Sequence, residues 1–421
     1  MGEIRMSEVG AAPSCKYVKI GPWGPERGAM NYEQLNDVCK RRGKCPAVDT
    51  AGIDPEINKM FEKIFTDFNQ VVKKINDEYK YYKGVNLTIG FDESVSFSAW
   101  TCTDEDNDLI ILSYQPILWM RHLFATIYNN GRGPGSFVMP RPNGTPPREA
   151  AFKMPETVDM FAELRAGKRP AVRDADDANY ASHLFQIAVH AVLHHEFAHI
   201  WDGHTGFILE KDNTVLRDAS SAEEEYDSSD YAFEMDADCR ALRGLLNWHF
   251  ATLNVPLDNA PISTPNGKLS DREFAGLMLT VLAATDLFVA IYLSMRMIMI
   301  KNGFSGDKVF QKGRSHPPIY FRIRIQISEL HNYLRVYSRF LADFVTYAVH
   351  QAIGEAEKAF NAATGEPEID IFSDEISQDY SAMFVKAAAA WDNLKVQLMP
   401  HIRGRGLTTY STYPDPTDWH Q

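Results

Sequence analysis

The feature that most constrains this chain is an apolar run, residues 274–300 (FAGLMLTVLAATDLFVAIYLSMRMIMI), with a carboxylate at its centre. A run of that length has to be buried, either in lipid or in a protein core. Asp286 divides it and Arg296 lies near its end, so the longest charge-free stretch is the twelve residues 274–285. A spanning helix needs roughly 18–20. The expectation is a buried core helix in which Asp286 partners a buried arginine. A membrane-embedded alternative is kept open, because an intramembrane carboxylate would itself flag function.

A chain of 421 residues, 45% apolar and 12% aromatic, can build such a core. Its formal net charge of -13 argues against nucleic acid, which demands a basic surface, and against a polybasic membrane anchor. Oligomeric state is not legible. The five cysteines are odd in number and form no CxxC pair, so no disulfide framework is expected and a reducing compartment fits better. MGEIRMSEVG contains no apolar signal core. A cytoplasmic location is the resulting expectation.

Periodicity sets the organisation. Residues 1–55 are rich in Gly, Pro and Cys and are expected to be an irregular arm. Helical spacing runs from Pro55 to Tyr82, opened by the pair Asp54-Pro55. Near-alternating segments at 85–91, 95–101 and 109–114 predict three short strands in a small antiparallel sheet. A helix at 115–129 precedes a Gly/Pro-dense loop at 130–156, whose length suits a lid. Helices are then predicted at 180–201, 231–250, 272–301, 320–351 and 372–396. The fold class expected is a mainly helical α+β domain over 56–350, with a C-terminal helix and polar tail over 351–421.

The chemistry concentrates in His195-Glu196-Phe197-Ala198-His199. Residues four apart share one helix face, so both imidazoles can reach one ion. Glu196 points about 100° away, beside the metal, where a carboxylate can act as general base toward water. The overlapping pair His190 and His194 has the same spacing but Ala191 where the base would stand. These two, and His183, are read as core or surface histidines. A third ligand decides the class. The metzincin pattern would need Gly at 202 and His at 205, and the chain has Asp202 and Thr205; His204 is one residue out of place. A gluzincin draws a Glu from a second helix, with an Asp four residues on. Glu234 and Asp238 supply that pair: Glu234 as ligand, Asp238 as acceptor of a ligand histidine's other N–H. Asp236 falls on another face and is not expected to bind metal.

Three islands, HEFAHIWDGH (195–204), EMDADCRAL (234–242) and SHPPIYFRI (315–323), together resemble the HtpX/CAAX-protease-like gluzincins. The chain is also similar to soluble minimal gluzincins and to Lit-type phage-exclusion peptidases. The resemblance implies a zincin-like catalytic domain holding one Zn2+, a protein or peptide substrate cut internally, and a sheet edge that pairs with the substrate backbone. The third island implies His316 first, then Arg322 and Tyr320, as donors to the developing oxyanion. Their bland alternative is a helix-ending His-Pro-Pro turn and a structural arginine. Residues 94–100 (SVSFSAW) are the candidate substrate edge. Two rival readings are a catalytically silent zinc-stabilised interaction protein and a membrane-embedded protease using 274–300.

Overall fold

Ten helices and one three-stranded sheet make up the described part of this computed structural model, which covers residues 30, 32–48, 55–80, 83–94, 99–104, 107–129, 175–212, 228–257, 269–301, 317–404 and 407. In chain order they are α1 (Tyr32–Arg41), α2 (Pro55–Glu78), β1 (Leu87–Asp92), β2 (Ala99–Asp104), β3 (Asn107–Ser113) and α3 (Tyr114–Asn129). The rest are α4 (Ala175–Trp201), α5 (His204–Asp212), α6 (Ser228–Thr252), α7 (Asp271–Lys301), α8 (Ile319–Arg335), α9 (Arg339–Thr364) and α10 (Asp374–Leu398). A mainly helical α+β architecture is what the periodicity predicted. The loop 130–156 and His316 lie outside the described residues.

The sheet differs from expectation. Its order is β1-β3-β2, with β2 antiparallel to β3 but β1 parallel to it. It is therefore mixed, not antiparallel. β3 carries the run Leu109-Ile110-Ile111-Leu112, buried on both faces, as a central strand should be. Strand periodicity reports which residues are buried but not which neighbour a strand takes, so the crossing of β2 to the far side of β3 was not legible.

The second face of the sheet is covered by α1, in the region expected to be irregular. Leu35, Val38 and Cys39 pack with Trp100, Cys102, Leu109 and Ile111. The approach is close enough that a Cβ on Gly90 would lie 2.4 Å from Leu35 Cδ2. α1 stops at Gly43, which takes φ +64°.

The stretch expected as one helix over 320–351 is two. Ser338 accepts a hydrogen bond from the Leu341 backbone N–H (3.3 Å), capping α9 after the chain breaks at 336–338. The apolar run forms α7, mostly buried against α4 and α9. It is the one helix among the described residues long and apolar enough to cross a membrane. In its last third Arg296 is buried and forks onto Glu357 (2.9 and 3.0 Å), which also accepts from Tyr292 (2.8 Å). One continuous apolar core runs from α2 through α10.

Candidate metal centre

Two antiparallel helices, α4 and α6, build the site: the C-terminal end of α4 lies on the N-terminal end of α6. His195 and His199 stand one turn apart on α4, Glu234 and Asp238 one turn apart on α6. His195 Nε2 is 3.2 Å from His199 Nε2 and 3.3 Å from Glu234 Oε2; His199 Nε2 is 3.4 Å from Glu234 Oε1. All three residues are nearly inaccessible to solvent. This His/His/Glu cluster could hold a metal ion.

The donor set passes a stringent test. Ligand atoms bound at about 2.0–2.1 Å to a tetrahedral ion sit about 3.3 Å from one another. The three observed separations match that value. They are long for charge-assisted hydrogen bonds, which run about 2.7–2.9 Å. The ring tautomers point the same way. Asp238 Oδ1 lies 3.0 Å from His195 Nδ1, and a carboxylate can only accept, so Nδ1 carries the proton. His204 Nε2 lies 3.3 Å from Asp236 Oδ2, an ion-pair distance without hydrogen-bonding geometry. Its Nδ1 shares a hydrogen bond with His199 Nδ1, 2.9 Å away. Both Nε2 atoms face Glu234. Without a cation, a proton would have to take that point. Burial alone would lower the His195 pKa, but Glu234 and the hydrogen-bonded Asp238 push it up to about 10. Burial lowers that of His199.

Arg322, from α8, approaches from behind His195. Its Nε and Nη2 fork onto Asp238 (2.7 and 2.6 Å), and Nη2 lies 3.7 Å from Glu234. That contact outweighs the burial of Asp238 and holds its carboxyl below the usual range. Two guanidinium nitrogens are thus committed to Asp238, on the Nδ1 side of the ring. Tyr320 is elsewhere: its hydroxyl donates to Met383 Sδ (3.2 Å). Glu196 is buried beside the cluster, takes no part in its ion pairs among the described residues, and has its pKa raised by burial. β2 forms one edge of the sheet and lies against α4 and α5; of the candidate substrate segment 94–100, residues 95–98 are outside the described part.

Sequence reasoning missed the role of His204. His204 is neither a ligand nor a bystander: it orients His199 from the far side. The turn at 202–203 delivers it. Gly203 takes φ +84°, and a Cβ there would meet the His401 carbonyl carbon at 2.6 Å. The Arg403 backbone N–H caps Trp201 O (2.9 Å), so the segment 401–404 clasps the end of α4. A His one residue past a glycine helix stop was the available signal.

The pairing expected between Asp286 and an arginine is not found. Arg296 is taken by Glu357 and Arg322 by Asp238, while Asp286 accepts from the Tyr180 hydroxyl and lies 3.8 Å from His183 Nε2. α4 carries Tyr180 and His183 to α7, and the arginines face other helices.

No family model matches the chain, and no curated protein or solved structure matches it.

Proposed function

We propose that this protein is a zinc-dependent endopeptidase of the gluzincin type, with His195, His199 and Glu234 as ligands of one Zn2+ and Glu196 as general base. One observation carries the reading: two imidazole Nε2 atoms and a carboxylate converge at tetrahedral ligand spacing, beside a buried glutamate that holds none of them. Bound zinc would polarise a substrate carbonyl and make water more acidic. The remaining work belongs to the chain. Glu196 accepts a proton from the attacking water and returns it to the leaving amine. Burial raises its pKa above the ordinary carboxylate value, which makes it a stronger base. Asp238 fixes the His195 tautomer, and the hydrogen bond to His204 orients the His199 ring. Arg322 balances Asp238 and Glu234, which makes it a positioning residue first; the oxyanion role falls to His316. The substrate is a protein or peptide, taken up in extended form by an edge strand. The expected setting is the cytoplasm: α7 is read as a core helix because its buried Arg296 has a buried carboxylate partner.

The silent-scaffold reading is disfavoured by Glu196, a buried carboxylate beside the cluster for which a purely structural site has no use. Glu196→Gln separates the two. Elemental analysis should find its zinc retained, while hydrolysis of unfolded casein falls by about 10²–10⁴-fold. Undiminished hydrolysis would end the proposed mechanism.

A further inference from the structure

The α4–α6 helix pair carries a second constellation at its other end. His183 stands near the N-terminus of α4 and His249 near the C-terminus of α6; Asp286 comes from the middle of α7. Their ligand atoms all lie within 4.8 Å of one another, with His183 Nε2 3.8 Å from Asp286 Oδ2. His183 lies twelve residues before His195, so the two clusters are about 18 Å apart along α4 at 1.5 Å per residue.

Three features of this cluster call for a cation. His249 is fully buried, and neither ring nitrogen meets a partner in hydrogen-bonding geometry, although the Ala283 backbone lies beside it. A buried imidazole normally satisfies at least its N–H. Asp286 is only 13% exposed in an apolar helix, with no lysine or arginine against it among the described residues. A buried carboxylate without a countercharge is costly. Third, the Tyr180 hydroxyl donates to Asp286 Oδ1, leaving Oδ2 toward the histidines, the arrangement that orients a carboxylate ligand.

We propose that His183, His249 and Asp286 form a second divalent transition-metal site that pins α4, α6 and α7 together. Two imidazoles and one carboxylate suit zinc or a similar borderline ion rather than calcium or magnesium. The 3.8 Å between His183 Nε2 and Asp286 Oδ2 exceeds the ~3.3 Å of a tetrahedral set, so binding draws those side chains together. His183, partly exposed, leaves the ion a route from solvent. No group placed like Glu196 accompanies this set among the described residues, so its role is to hold helices. The inference does not depend on peptidase activity.

The test counts metal in the full-length protein, stripped with a chelator and titrated with Co2+ alone. Wild type is expected to take two equivalents, by elemental analysis and visible absorption. His183→Ala and Asp286→Asn should each take one and lose several degrees of the metal-dependent rise in Tm. His195→Ala/His199→Ala, which leaves the second cluster intact, should also retain one. A wild type that binds one equivalent, lost in His195→Ala/His199→Ala, overturns the second site and leaves the first standing. Two equivalents unaffected by both His183→Ala and Asp286→Asn overturn it as well. Should a cluster variant fail to fold by circular dichroism, the His195→Ala/His199→Ala count decides: no bound cobalt refutes the site.

Discussion

The two ends and the middle of the α4–α6 pair use the same residue type in three ways. At the end near Glu196, each histidine nitrogen turned away from the cluster meets a partner: Asp238 for His195 and His204 for His199. In the middle, histidines are packing elements. His190 stacks on Trp248 with ring centroids 3.8 Å apart, and His194 lies edge-on to Phe68 against Gly244. At the far end, His183 and His249 meet one carboxylate from a third helix. A histidine's function therefore follows from its partners, not from its spacing on the helix. His190 and His194 have the spacing of His195 and His199 but no carboxylate from α6.

Breaking the partnership at the near end should cost most. Arg322→Ala leaves Asp238 and Glu234 without their guanidinium. A loss of about 3–5 kcal/mol in denaturant unfolding is expected for breaking a buried pair. A loss under about 1 kcal/mol would mean the pair is effectively solvated. Asp238→Asn keeps an oxygen for the His195 N–H but weakens the charge behind it. Metal affinity should drop by about 10–100-fold, measured by competition with a chromophoric chelator. An unaltered affinity would remove Asp238 from the site. Asp238→Ala is a poorer probe, because it also strands Arg322.

The middle of the pair is tested by bulk. A Cβ on Gly244 would lie 2.7 Å from His194 Nδ1, so Gly244→Ala should cost about 1–3 kcal/mol through overpacking. Unchanged stability would show that the imidazole can move aside. The smallest effect is on pH. Burial lowers the His194 pKa to about 3, against about 6.5 unfolded. Between these values the unfolded chain binds a proton that the folded chain refuses. Stability is thus complete above about pH 6.5 and is lost as pH falls toward 3, by about 2 kcal/mol at pH 5 for this one residue. Urea unfolding at pH 7 and pH 5 measures it, and His194→Gln should remove its share of the slope.

Much of this was legible because it is local. Helical period located α2, α4, α6 and α7 to within a few residues, and the i, i+4 pairs named the residues that meet at the near cluster. What escaped was weakly or non-locally encoded. α1 is a single short amphipathic turn sequence inside a Gly/Pro-rich stretch. The break before α9 interrupts continuous apolar spacing, marked only by Ser338. The parallel pairing of β1 with β3 and the partner of Asp286 depend on segments far apart in sequence.

Sequence alone determined which side chains share a helix face, because 3.6 residues per turn is a property of the backbone and needs no neighbours. It therefore named His195, Glu196 and His199 on one helix and Glu234 with Asp238 on another. Only the tertiary structure decided which of 13 histidines keep company with carboxylates, because that depends on how α4, α6, α7 and the clasp at 401–404 pack. The same packing turns two imidazole Nε2 atoms toward one carboxylate, and it brings His183 and His249 to a largely covered acid in the apolar helix α7.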